Sequence, residues 1–246
     1  MNRDIIFKIS SPLAGTTLAI LAAGMLTACG PSGYKPKLAA EAPVVKLEDA
    51  TPENLFPFKD GYEWEYNFTS TTRTANNTVP ESGRLRIKVV RVEDTPKGKK
   101  AELQVEREGV VVDKQVWLSN EKGIYQLAAG EKTSVPYSPM QPFALFPLSA
   151  NMKFDWKGKG ATPLGMPGTI KTTNIVRGPE PVDTGIGRRT GIAIESRTEF
   201  TSAKIVGAFV VTTWYQPSVG IIRMKQVLAV PTGAVTTTLT LAKAPI

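Results

Sequence analysis

The stretch "YEWEYNF", residues 62–68, places an aromatic side chain at every second position and a polar side chain between each pair. An alternation with a period of two predicts a β-strand with one buried and one solvated face. The stretch "RLRIKV", residues 84–89, repeats the pattern with aliphatic residues. Val90 and Val92 then shift its phase by one, which indicates a β-bulge. Further stretches of strand character are "AELQVERE" (101–108), "GIAIESRTEF" (191–200), "AFVVTTWY" (208–215), "IIRMKQV" (221–227) and "VTTTLTLA" (235–242).

No window after residue 54 has the apolar spacing of an amphipathic helix. Turn-forming residues separate the strands at Asp94–Gly98, Asn120–Gly123, Gly158–Gly160 and Gln216–Gly220. We therefore predict an all-β, antiparallel domain of about nine to eleven strands with few or no helices. The simplest arrangements are two curved sheets packed as a sandwich, or a partly open barrel.

Two pairs of segments resemble each other in the same order along the chain, which predicts an internal duplication. The aligned pairs are "LFPFKDGYEWEY" (55–66) with "LFPLSANMKFDW" (145–156), and "VWLSNEKGIYQL" (116–127) with "TWYQPSVGIIRM" (213–224). We expect a first β repeat at residues 55–144 and a second at residues 145–246, which together form one compact domain.

The stretch "LTAC", residues 26–29, follows an uncharged, largely apolar run and ends on the single cysteine of the chain. It resembles the lipobox of bacterial lipoproteins, in which Leu stands three residues before Cys, small residues lie between them, and Gly or Ser follows. The resemblance implies a signal peptide at residues 1–28 and a diacylglycerol on the thiol of Cys29, with acyl chains that anchor the protein in a membrane. Residues 29–54 are rich in Pro, Ala and charge, which predicts an extended tether after the lipidated cysteine.

The same motif predicts where in the cell the protein is located. Gly30 stands where the lipoprotein family reads its sorting signal, and a residue other than Asp there resembles the signal for release to the outer membrane. The resemblance implies a cell-envelope protein, on the periplasmic side of the outer membrane if the cell has one.

The composition excludes several kinds of site. The chain has no histidine and one cysteine, which excludes Ser-His-Asp and Cys-His catalysis and argues against zinc, copper and haem sites. Acidic residues such as Glu63 and Glu65 alternate with apolar ones, as on the solvated face of a strand, rather than forming a carboxylate catalytic or calcium site. We expect no enzymatic activity and no cofactor beyond the acyl chains on Cys29.

The formal net charge is +8 at pH 7. The basic residues form short clusters, at Lys97–Lys100 and Arg188–Arg189, in turns where solvated charge is the simpler interpretation. For an envelope protein, this charge favours an anionic lipid surface or a cell-wall polymer as its counterpart, and we expect no nucleic-acid partner.

The motifs "FPFKDGYEWEY" (56–66) and "TWYQPSVGIIRMK" (213–225) resemble a group of bacterial envelope proteins related to the DUF3108-like and LolA/LolB-like half-barrels. In that superfamily a curved antiparallel sheet wraps an apolar cavity that can hold acyl chains. The resemblance implies an envelope lipoprotein of this architecture and implies no catalytic residue. The sequence departs from the lipoprotein carriers because it offers no helices to cover the sheet.

Large apolar side chains are concentrated between prolines in residues 134–152, where a regular strand is difficult to form. This stretch is either an exposed lip that binds a ligand or partner, or a junction that covers the open end of the core between the two repeats. The candidate ligand-binding residues are Tyr137, Met140, Phe143 and Phe146 from this stretch, with Trp117 and Trp214 beside two predicted turns. Core packing is the simpler interpretation of the tryptophans, which lie in predicted strands.

Two functions fit these features. The first is a lipid-anchored binding module that holds an apolar ligand such as a lipid. The second is a structural or assembly lipoprotein that docks another envelope protein or a cell-wall component through a strand edge or a charged surface.

Overall fold

Strands make up most of the described chain, and only one short helix and one 3-10 turn precede them. The structure is a computed structural model and describes residues 44–245. The 3-10 turn is Leu47–Asp49 and the helix α1 is Pro52–Leu55. The strands are β1 Glu63–Thr74, β2 Thr78–Thr95, β3 Gly98–Arg107, β4 Val110–Asn120, β5 Gly123–Ala129, β6 Val135–Leu145, β7 Lys153–Ala161, β8 Pro167–Thr184, β9 Gly187–Ser202, β10 Ile205–Gln216, β11 Gly220–Val230 and β12 Gly233–Lys243.

The alternation in "YEWEYNF" sets the inward face of β1. Trp64, Tyr66 and Phe68 are all buried, because successive side chains of a strand point to opposite faces. On β2, the register against β3 shifts between Val89 and Arg91, which confirms the predicted bulge. The expected all-β class with almost no helix is therefore confirmed.

All twelve strands join one antiparallel sheet that closes into a barrel, each strand pairing with its neighbours in the sequence. The closing pair is β1 with β12, which are matched from Glu65 opposite Lys243 to Thr74 opposite Gly233. The predicted barrel alternative is compatible with this ladder, but the barrel is closed and has twelve strands rather than nine to eleven, and the two-sheet sandwich is not confirmed. Closure satisfies the backbone groups that the first and last strands would otherwise leave unpaired.

One neighbouring pair departs from continuous pairing. Strands β6 and β7 share a single bridged pair, Ser138 opposite Lys159, whereas longer ladders join the other neighbours; the β5–β6 ladder has a gap at residues 137–140 of β6. We call this junction the β6–β7 seam. Prolines explain it, because Pro136, Pro139 and Pro142 leave β6 without donors at three positions. The stretch expected to cross between repeats or to form a lip is thus mainly a barrel strand, β6, that pairs with β5 at both of its ends and with β7 at one position.

One end of the barrel is closed by residues 44–58, which we call the plug. Leu55, Phe56 and Phe58 of the plug are buried in the main hydrophobic core. Helix α1 is capped by Thr51, whose side-chain oxygen accepts a hydrogen bond from the Asn54 backbone N–H. The last part of the predicted tether (29–54), from Val45 onward, therefore packs against the barrel, and residues 29–43 lie outside the described range.

The two predicted repeats, 55–144 and 145–246, each contribute six strands. The aligned Trp117 and Trp214 lie on the fourth strand of each set, β4 and β10. Their side chains nevertheless point to opposite faces, since Trp117 faces the interior and Trp214 does not. The duplication stays a prediction.

Most predicted turns are tight hairpins, but Gly158–Gly160 is not a turn. These residues lie within β7, where Gly158 is paired with Ile170 and Gly160 with Gly168. A Cβ at Gly158 would collide with the ring of Trp156, and one at Gly160 with the ring of Tyr137. The glycines are therefore explained by aromatic rings packed over the strand, not by a reversal of the chain.

Candidate ligand-binding cavity

The interior of the barrel contains a cavity of about 860 Å³. That volume lies in the range of small-molecule binding sites, roughly 300 to 1,000 Å³. Phe56 of the plug lies at one end of the cavity, and the loops at residues 130–133 and 162–165 lie at the other. Glu131 and Lys132 in the first of these loops are exposed, so this end is the mouth.

Aromatic side chains form the floor of the cavity. The ring of Phe56 lies 5.3 Å from Trp64 and 5.7 Å from Trp117, and Trp117 lies 5.1 Å from Phe143. Phe143 in turn meets Tyr215 edge-on at 5.8 Å. Edge-to-face contacts of this kind add packing energy beyond area burial, so the floor is a rigid apolar surface.

A band of small polar side chains lies on the wall formed by β8 and β9. Thr172 and Thr198 are hydrogen-bonded to each other at 2.9 Å, and the Ser196 hydroxyl donates to Asn174 Oδ1 at 2.5 Å. Gln141 reaches this band from β6, with its Nε2 3.5 Å from Thr172 Oγ1. The cavity therefore combines an apolar floor with an uncharged polar wall.

A chain of hydrogen bonds runs from the floor toward the mouth along β4. The Trp117 indole N–H donates to Gln115 Oε1 at 2.9 Å, and Gln115 Nε2 donates to Asp113 Oδ2 at 2.7 Å. Asp113 Oδ1 accepts from the Gly130 backbone N–H at 3.0 Å. Burial raises the pKa of the Asp113 carboxyl, although these hydrogen bonds oppose the rise. These hydrogen bonds fix the orientation of Trp117 and connect β4 to the loop at residues 130–133.

Three of the predicted site residues, Tyr137, Phe143 and Trp117, line this cavity. Tyr137 also spans the β6–β7 seam, where its hydroxyl donates to the Ala161 carbonyl oxygen at 3.0 Å. Its burial raises the pKa of the phenol. The structure thus brings together residues that the sequence places on two separate strands.

The other three predicted residues do not line it. Met140 is 40% exposed, and Phe146 packs against the main core. The Trp214 indole N–H donates to Glu180 Oε2 at 3.0 Å, and the Arg223 guanidinium lies 5.6 Å from the Trp214 ring. Cys29, the predicted lipidation site, lies outside the described residues.

Sequence reasoning missed the polar wall. In "TIKTTNIV", residues 169–176, Thr172 and Asn174 occupy the same phase as Ile170 and Val176, which are buried. Small polar residues in the apolar phase of a strand are a signal that the sheet encloses something other than a dry core. That signal was present in the sequence and could have identified Asn174.

Within residues 44–245, no group of three or more His, Cys, Asp and Glu side chains is arranged to hold a metal ion. The same part of the chain contains no helix of the length and apolar character needed to cross a membrane.

Comparisons with known proteins found similar folds only at low sequence identity. No protein-family model and no curated protein matches the chain. A protein of Bacteroides fragilis described as exported, with a YmcC-like fold, is 13% identical, with a TM-score of 0.45 over 79% of this chain and 99% of its own. A protein of Parabacteroides distasonis described as a lipoprotein is 15% identical, with a TM-score of 0.39 over 78% of this chain and 98% of its own.

A third solved structure, the hypothetical lipoprotein YmcC of Escherichia coli, is 12% identical, with a TM-score of 0.33 over 71% of this chain and 83% of its own. All three TM-scores are below 0.5, so these similarities support no functional assignment for this chain.

Proposed function

We propose that this protein is a non-enzymatic cell-envelope lipoprotein, anchored through acyl chains on Cys29, whose barrel holds a ligand with an apolar part, such as a lipid. The main support for this proposal is the cavity of about 860 Å³ with its aromatic floor. A barrel core that served stability alone would be filled by side chains, because protein interiors are close-packed.

The difference between the two ends of the barrel supports this proposal. The plug closes one end of the barrel, and the mouth lies at the opposite end. The plug is held in place from two sides, because the Ser119 hydroxyl donates to the Pro52 carbonyl oxygen at 3.2 Å and the Ser218 backbone N–H donates to Asn54 at 2.7 Å. A ligand would therefore enter from the end opposite the plug.

Two neighbouring residues of β10 offer a matched test of the cavity. Val211 lines the cavity, whereas Val210 is 37% exposed on the opposite face of the strand. A chain of residues 30–246 would be titrated with N-phenyl-1-naphthylamine, an uncharged dye whose fluorescence rises in apolar surroundings. V211W should lower the fluorescence gain because the indole occupies part of the cavity, and V210W should retain it.

Equal fluorescence in the wild type, V211W and V210W would mean that the dye binds elsewhere, and no gain in the wild type would contradict an apolar site. Circular dichroism of each variant would establish that the barrel is folded.

The anchor is tested separately by C29A. We expect that substitution to abolish incorporation of labelled palmitate and to release the protein from the membrane fraction. Retention of an unlabelled protein in the membrane would show that residues 1–28 act as a plain anchor.

The β6–β7 seam supports a second candidate, a docking lipoprotein that accepts a partner strand. Backbone groups along the facing edges of β6 and β7 are left without a ladder partner, and an added strand could pair with them. We prefer the binding module because Pro136, Pro139 and Pro142 donate no hydrogen bonds to such a strand. A crosslinked envelope protein on β6, with an empty cavity, would favour docking.

A further inference from the structure

The amide of Asn174 has an unused hydrogen-bond donor inside the barrel. Asn174 is 1% exposed and lines the cavity, and its Oδ1 accepts the Ser196 hydroxyl. Its Nδ2 has no hydrogen-bond partner in the structure. A buried donor without a partner costs free energy, so this group favours a ligand that brings an acceptor oxygen.

The register of β8 and β9 sets the position of Asn174 Nδ2 between the plug and the mouth. Asn174 is opposite Ser196, and the next inward pair toward the plug is Val176 opposite Ile194. Toward the mouth, the Thr172–Thr198 pair is followed by Ile170 opposite Phe200. The polar band is therefore bounded by apolar pairs on both sides, as a ligand with one polar segment next to an apolar chain would require.

The charges around the cavity restrict what that polar segment can be. Among the described residues that line it, the ionisable acids and bases with a formal charge at neutral pH are Asp113, Glu131 and Lys132. Glu131 and Lys132 lie in the exposed mouth loop, so no cation lies beside the polar band. An anionic group placed at Asn174 would be desolvated without a counter-ion, which is strongly unfavourable.

We propose that the cavity selects an uncharged amphiphile, with its hydrocarbon chain against the aromatic floor and a hydroxyl or carbonyl oxygen on Asn174 Nδ2. Amphiphiles that carry a phosphate or another anionic group at that level are excluded by the lack of a counter-charge. This inference rests on the proposed function and names the ligand class that the same cavity takes.

The test uses the full chain in phosphatidylcholine vesicles and two photoreactive probes with the same acyl chain. One is a monoacylglycerol, and the other is that molecule with a phosphate on its terminal hydroxyl. Labelling is read at Val211 and Ile221, two lining residues in the tryptic peptide 205–223, which the variants below leave unchanged. We expect the uncharged probe to label these positions more strongly by at least about tenfold, because the phosphate of the other probe would be desolvated without a counter-ion.

Two variants separate the donor from its surroundings. N174L/S196A removes both members of the polar pair and leaves neither unpaired, so the fold is retained; it should lower labelling by the uncharged probe about threefold to tenfold. S196A alone keeps the Asn174 amide and should retain the labelling. Equal labelling by the two probes, or no effect of N174L/S196A, would overturn the inference and leave the binding function standing. No labelling of the interior by either probe would overturn the proposed function itself.

Discussion

At the scale of single residues, Trp64 joins the barrel wall to the plug. Its side chain is fully buried, its indole N–H donates to the Val219 carbonyl oxygen at 2.6 Å, and its ring packs on Phe56. We expect W64A to lower the free energy of unfolding by about 3–5 kcal/mol, because it leaves a large cavity in the core. Urea unfolding of residues 30–246 followed by circular dichroism measures the change. V206A, at a side chain that is 62% exposed, is the control and should shift stability by less than about 0.5 kcal/mol.

The buried carboxyl of Asp113 makes the free energy of unfolding depend on pH. Burial raises the pKa of the Asp113 carboxyl above its unfolded value, so the folded state binds the proton more tightly. The contribution of Asp113 to stability is therefore fully present below the ordinary Asp pKa, and it is lost as pH rises through the raised pKa. In D113N this component is removed, so the wild-type stability minus that of D113N should fall across that pH window. A difference that is constant or rises with pH would contradict the burial of this carboxyl.

At the scale of elements, the β6–β7 seam should be the most easily opened part of the barrel. Backbone amides that lack a ladder partner exchange without unfolding of the sheet. We expect hydrogen exchange measured by mass spectrometry to be faster in β6, residues 135–145, than in the paired strands β8 and β9. Protection of β6 equal to that of β8 would show that the seam is closed by a continuous ladder.

The sequence and the structure agree best where a feature is local. The period of two in "YEWEYNF" predicted β1, and the phase shift at Val90 predicted the bulge, since both depend on adjacent residues. Gly158 and Gly160 misled the turn prediction because their reason is distant in sequence, the ring of Tyr137 packed over β7 in the case of Gly160. The prolines of β6 also hid its strand character. They are tolerated because the β6–β7 seam has only one bridged pair.

At the scale of the whole molecule, closure of the barrel could not be predicted from sequence patterns. It depends on contacts such as the hydrogen bond between Ser70 and Thr237, which lie 167 residues apart. The cavity follows from closure, because the closed ring of strands turns the inward residues of β4, β6, β8 and β9 toward one space. Three of the six predicted residues, all of them aromatic, line the cavity, and the polar wall at Asn174 was not predicted.

The central claim is that the barrel encloses a ligand, and native mass spectrometry with organic extraction tests it most directly. A chain of residues 30–246, secreted without its lipid anchor and purified without detergent, would be measured intact and its extract analysed. We predict one co-purifying molecule with an apolar part, in a smaller amount in V211W and in an unchanged amount in V210W, because Val211 lines the cavity and Val210 does not. A mass equal to that of the polypeptide alone, with nothing in the extract, would contradict the claim and direct attention to a protein partner.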